Sequence, residues 1–124
     1  MIFYIAAPFK YREMAIKWFD MIETTDYVQS RWLITELDDS DYRQHFKREA
    51  IKDMGDIRRC DALILMSVDE PQRGGCLMEF MYAYANGIPC FTIGDRSWNQ
   101  FLELATEHFD TIEDFLKWLD SGSV

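Results

Sequence analysis

The stretch DALILMSVDEPQRGGCLMEF, Asp61 to Phe80, decides the fold. Its first part, DALILMSV (Asp61–Val68), is the most apolar run of the chain and reads as a strand buried on both faces. The polar loop DEPQRGG follows. A mostly apolar segment from about Gly75 to Asn86 then reads as a helix, with Gly87 as its stop. Buried strand, loop and helix make the repeating unit of a parallel α/β sheet. Inside that helix one carboxylate, Glu79, stands among Cys76, Leu77, Met78, Phe80 and Met81, where a charge needs a reason.

The same alternation extends in both directions. IFYIAAP (Ile2–Pro8) is a short apolar run closed by proline, a buried strand. Between Arg12 and Thr24, Met14, Ile16, Trp18, Phe19 and Ile22 recur at helical spacing. VQSRWLI (Val28–Ile34), β-branched and aromatic, reads as a second strand, and Ser40 or Asp41 is placed to cap a helix from about Tyr42 to Arg59. Past Gly87, IPCFTI (Ile88–Ile93) reads as a strand and a helix is expected near Trp98–Thr106. EHFD (Glu107–Asp110) is a candidate edge strand, and Thr111 caps a last amphipathic helix, IEDFLKWL. The expectation is one α/β domain over residues 1–124, doubly wound and flavodoxin-like. Its parallel five-stranded sheet has the order 2-1-3-4-5, with helices on both faces. Ligands of such sheets lie beyond the carboxyl ends of the strands, here at the loops PFKYR, TELDDS and DEPQRGG.

Composition narrows the function. With 48% apolar residues and 15% aromatics the 124-residue chain is globular and large enough for one real core. A net charge of -9 argues against a nucleic-acid polymer as partner but leaves room for a small ligand in a locally basic pocket. There is no apolar run of about eighteen residues to span a membrane, and the N-terminus reads as a strand rather than a signal peptide. Cys60, Cys76 and Cys90 are scattered, with no CxxC, as expected of reduced thiols in a cytoplasmic protein. His45 and His108 stand at no metal-ligand spacing from them, so no metal is expected, nor any other cofactor.

Two carboxylates carry the chemistry. Glu79 falls in the first turn or so of its helix, where free N–H groups and the macrodipole favour an anion while apolar neighbours raise its pKa. A poorly hydrated carboxylate at the ligand end of the sheet suits a nucleophile; the plainer reading is a surface glutamate at a helix start. In the helix from Tyr42, at about 100° per residue, Phe46, Ala50, Met54 and Ile57 define an apolar stripe. Asp53 falls inside it and Asp56 toward its polar flank. An inward aspartate requires a function, or else a hydrogen bond to a tyrosine, a cap or a buried water.

YIAAPF, SRWL, DMGDIRRCDALIL and RGGCLMEFMYAYANGIPCFTIG, in this order, resemble the nucleoside 2-deoxyribosyltransferase-like superfamily, which includes N-glycosidases of nucleoside 5′-monophosphates. The likeness spans nearly the whole chain. Its most specific part is an aspartate eight residues before the aspartate that opens the third strand, then a Gly-Gly-x-x-x-Glu helix start and a Gly-x-Pro turn. The resemblance implies Glu79 as nucleophile, Asp53 as second catalytic carboxylate and Tyr4 as the hydrogen-bond partner of the nucleophile. It implies Phe9 as a wall of the base pocket; Gly74 and Gly75, ahead of Glu79, by themselves allow a ligand to approach the backbone closely. It also implies a homo-oligomer in which a neighbouring subunit lends a polar residue, for which Asn99 is the nearest and a poor match. The family's free-nucleoside transferases carry an aspartate for the sugar hydroxyls six residues before the nucleophile; here that position is Arg73. An arginine there, with Arg12 as a second cation, points to a 5′-phosphate on the substrate.

The implied reaction is cleavage of an N-glycosidic bond with transfer of the sugar to another base or to water. Alternatives from the same residues are a non-catalytic nucleotide-binding or sensor module with an idle Glu79, and a glycohydrolase of a larger nucleotide such as NAD. A receiver domain fits poorly, because AAPFKYR lacks the acidic cluster one would need after the first strand.

Overall fold

The computed structural model describes residues 1–8, 11–22, 42–67 and 75–122, with side chains left aside for 42–46. In chain order the elements are β1 (Phe3–Ala6), α1 (Arg12–Ile22), α2 (Tyr42–Arg59), β2 (Ala62–Ser67), α3 (Gly75–Ala85), β3 (Cys90–Gly94), a 3-10 turn (Gln100–Leu104), β4 (Glu107–Phe109) and α4 (Ile112–Asp120). The four strands form one sheet in the order β1-β2-β3-β4, every pair parallel. They are the first, third, fourth and fifth strands of the sequence reading. The expected second strand, Val28–Ile34, lies outside the described residues, as do the loop after it and its candidate caps.

Alternation along the strands sends side chains to two cores. Phe3, Ile5, Ile64, Met66, Phe91 and Ile93 pack with Trp18 and Phe19 of α1 and Phe115 of α4. Tyr4, Ala6, Leu63, Leu65 and Cys90 pack on the other face with Ile57 of α2 and with Cys76, Phe80 and Ala83 of α3. Helices therefore cover both faces, α1 and α4 on one and α2 and α3 on the other. This explains why the strands read as continuous apolar runs rather than alternating ones. The first core is held by rings: Phe115 sits 6.0 Å from Phe3 and 5.3 Å from Phe109 in edge-to-face geometry, and Trp118 stands 5.2 Å from Phe91.

The sequence reading misjudges one helix. Instead of Trp98–Thr106 there is only the 3-10 turn, capped by Asn99, whose side chain accepts from the Phe101 N–H. Thr106 is drawn to the sheet instead. Its N–H donates to the Cys90 carbonyl at 2.7 Å and its hydroxyl accepts from the Cys90 N–H at 3.2 Å, so the chain must already be extended there to begin β4. The last helix starts as expected, with the Thr111 hydroxyl accepting from the Asp114 N–H.

Because Phe115 is fully buried among four rings, Phe115→Ala is expected to lower unfolding stability by about 3–5 kcal/mol. Urea denaturation monitored by circular dichroism checks this, with the midpoint falling and the slope kept.

Candidate active site

Tyr4 is the second residue of β1 and wholly buried, its side chain on the α2/α3 face. Pairing of β1 with β2 sets Tyr4 beside Leu63, and α3, which follows β2, packs back over both strands. The Tyr4 hydroxyl thereby meets Glu79 in the second turn of α3 and donates a hydrogen bond to its carboxylate. The two residues are 75 positions apart, so only the sheet brings them together.

Burial decides the protonation of Glu79. Loss of water pushes its pKa from 4.5 up to about 8; the Tyr4 hydroxyl pulls the other way, and the negative charge of Asp53 adds to the rise. Desolvation thus outweighs the helix-start stabilisation expected from sequence. At neutral pH the empty site mostly holds the neutral acid. Buried thiols nearby offer no rival nucleophile: burial, then the charge of Glu79, pushes the Cys76 thiol up to about 11, and burial takes Cys60 to about 11 and Cys90 to about 12.

Asp53 comes from α2, which packs against α3. It is half-buried, with one carboxylate oxygen sealed from solvent. The helical stripe assumed from sequence is corrected here. Met54 and Ala50 are exposed, and the inward face runs through Asp53, Asp56, Ile57 and Cys60. Asp56, expected on the polar flank, is buried and is neutralised by Arg59, whose guanidinium lies 2.5 Å from it and reaches out to solvent. Apolarity of the side chain misleads in this helix because a salt bridge at i, i+3 lets an acid take the inward position.

Of the remaining expected residues, Gly75 opens α3 with clear space where a side chain would start. Arg12 opens α1, on the opposite face of the sheet from Glu79. Asn99 caps its own 3-10 turn. Phe9, Arg73 and Gly74 lie outside the described residues. Among the described residues no group of three or more histidines, cysteines or acids is gathered to hold a metal, and no helix is long and apolar enough to cross a membrane.

Sequence reading missed a polar clamp at the carboxyl ends of β2 and β3. The Ser67 hydroxyl accepts from the Trp98 indole N–H at 2.7 Å and donates to the Asp95 carbonyl. The Asp95 N–H returns a bond to the Ser67 carbonyl at 3.2 Å. Gly94 makes this possible: at φ 118° it carries no side chain, and a Cβ there would stand 1.7 Å from the Ser67 carbonyl oxygen. The only legible signal was Gly94 at the end of an apolar strand. A cavity of about 520 Å³ also opens at this end of the sheet, between α1, α4 and the tips of β2 and β3, with Tyr11, Trp18, Ser67 and Thr111 among its walls. Tyr4, Asp53 and Glu79 are not among its walls, and among the described residues its one carboxylate, Asp110, is exposed, so the titratable cluster rather than the cavity marks the candidate site.

An acid whose pKa is higher folded than unfolded binds its proton more tightly in the folded state. Its contribution to stability is full below about 4.5 and is lost as pH climbs through about 8. Glu79→Gln removes that loss. The variant is expected to melt several degrees above the wild type at pH 9, with the gap closing toward pH 5, in paired calorimetric scans.

The fold has counterparts among solved structures. The chain superposes on a 2-deoxyribosyltransferase from Bacillus psychrosaccharolyticus with a TM-score of 0.69 at 17% identity, over 94% of this chain and 90% of that one. A 2-deoxyribosyltransferase from Leishmania mexicana gives 0.65 at 19% identity, over 96% and 97%. A CMP N-glycosidase from Clostridium botulinum gives 0.61 at 15% identity, over 98% and 99%. No protein-family model and no curated protein matches the sequence. The chain thus shares its α/β fold with two 2-deoxyribosyltransferases and a CMP N-glycosidase, proteins of the kind that the sequence resembles.

Proposed function

We propose that the protein cleaves the N-glycosidic bond of a (2-deoxy)nucleoside or its 5′-monophosphate and passes the sugar to another base or to water. The observation that carries this reading is the Glu79 carboxyl, starved of water, held by the Tyr4 hydroxyl and flanked by the charge of Asp53. The 2-deoxyribosyltransferases and the CMP N-glycosidase of the same fold support the reaction class.

In the first step an oxygen of ionised Glu79 attacks C1′ as the C1′–N bond to the base breaks. The electron pair of that bond leaves with the base. The proton that Glu79 gives up as substrate binds passes to Asp53, which hands it to the base nitrogen. The product is a glycosyl ester of Glu79, reached through an oxocarbenium-like state. In the second step a base nitrogen or a water oxygen attacks C1′, the ester C1′–O bond breaks, and Asp53 takes the proton of the incoming nucleophile. Tyr4 orients Glu79 and keeps its proton loosely enough held to be lost when substrate binds. Arg73 would hold a 5′-phosphate, whereas Arg12 lies on the other face of the sheet; transferase and hydrolase share every step except the identity of the second nucleophile.

The test is base release from a panel of deoxynucleosides, ribonucleosides and their monophosphates. Glu79→Gln is expected to lower kcat by at least about a thousandfold, as for loss of a nucleophile, and undiminished release by the pure variant would exclude the assignment. For the wild type, kcat/KM should fall with pH above an inflexion near 8, because the free protein must carry the one proton that Glu79 gives up to Asp53 and Asp53 hands to the base. In Tyr4→Phe the hydroxyl that favours the anion is gone, so the inflexion should move to higher pH.

A further inference from the structure

The clamp at Ser67 has one conspicuous beneficiary. Trp98 lies beyond the carboxyl end of β3, packed against the cluster that contains Tyr4, Leu65 and Cys76, and so on the same face of the sheet as Glu79. Trp98 is only partly buried, unlike the fully buried Tyr4 and Phe80 of that cluster. The orientation of that ring is fixed. An indole N–H only donates and a carbonyl only accepts, so the single Ser67 proton must go to Asp95 and a Ser67 lone pair to Trp98. The Ser97 N–H, bonded to the Asp95 carboxylate at 2.8 Å, ties down the next residue as well. A buried hydroxyl, a glycine at φ 118° and two backbone bonds are thus used to hold one tryptophan edge while the residue stays partly exposed.

We propose that Trp98 is the stacking wall for the substrate's base, a binding residue that sets preference for a planar heterocycle at the site of Glu79. The proposal rests on the glycosyl-transfer reading above. A rigid ring presented in advance costs little ordering entropy on binding, which is what a stacking surface requires. Stacking is tolerant of base identity, so Trp98 selects a ring of nucleobase type, not one base among them. Ser67 is the positioning residue, acting through Trp98.

Four proteins test this: the wild type, Trp98→Leu, Trp98→Phe and Ser67→Ala, each assayed for base release, with Trp98→Leu and Trp98→Phe also combined with Glu79→Gln for equilibrium dialysis against nucleosides and monophosphates. Trp98→Leu is expected to raise KM roughly tenfold with kcat little changed, and to weaken binding in the Glu79→Gln background by the same factor. Trp98→Phe, which keeps a ring, should retain most of the affinity and covers the case in which the leucine variant does not fold. Ser67→Ala should raise KM by less than Trp98→Leu. An unchanged KM and dissociation constant in the leucine variant, or in its absence a phenylalanine variant that loses kcat while keeping KM, would overturn the proposal. So would the failure of every nucleoside and nucleotide to bind Glu79→Gln. A wild type that binds nucleosides but cleaves none would overturn the catalytic reading alone, since the dialysis still reports on Trp98.

Discussion

A single hydrogen bond in a water-poor place, from the Tyr4 hydroxyl to the Glu79 carboxylate, ties the two ends of the site together. Burial alone would leave Glu79 a neutral acid over most of the pH range, and a neutral acid is no nucleophile. The tyrosine opposes that burial, and Asp53 reinforces it. On the proposed reaction, that balance leaves Glu79 near the point where binding of a substrate, with its developing positive charge at C1′, is enough to draw the proton off.

The fold supplies this balance as a consequence of its topology. Parallel pairing of β2 with β3 makes α3 a crossover of fixed hand, which brings it over the face that carries Tyr4. The start of the sheet is pinned by Asp61, whose carboxylate accepts from the Ile2 N–H at 2.6 Å while its own N–H donates to the Ile2 carbonyl at 2.7 Å. That pin fixes where α2 ends relative to β1, and hence where Asp53, two turns earlier on the helix, meets α3. Ser67, Gly94 and Asp95 perform the corresponding service at the other end of β2.

Much of this was legible in the sequence, for reasons that differ by residue. The strands could be read because two-sided burial makes them continuous apolar runs, and α3 because Gly75 and Gly87 bracket an apolar helix. Glu79 stood out as a charge in apolar company. Tyr4 did not: an aromatic in a buried strand looks like core, and its role as donor to Glu79 came only from the family resemblance. The inward face of α2 was misread because Asp56 is neutralised by a partner three residues away, which no hydropathy pattern records. The clamp at Ser67 was invisible because it joins residues 28 and 31 positions apart through a backbone conformation that only glycine adopts readily.

The central claim is that Glu79 itself takes up the sugar. Mass spectrometry tests it most directly. The protein is incubated with a 2-fluoro-2-deoxynucleoside, whose fluorine slows breakdown of a glycosyl ester by destabilising the oxocarbenium-like state, and is then quenched and digested. The account predicts a single added fluoropentosyl group on the peptide that contains Glu79, absent from Glu79→Gln. Turnover of the unmodified nucleoside with no adduct on that peptide, or an adduct on another residue, would contradict it.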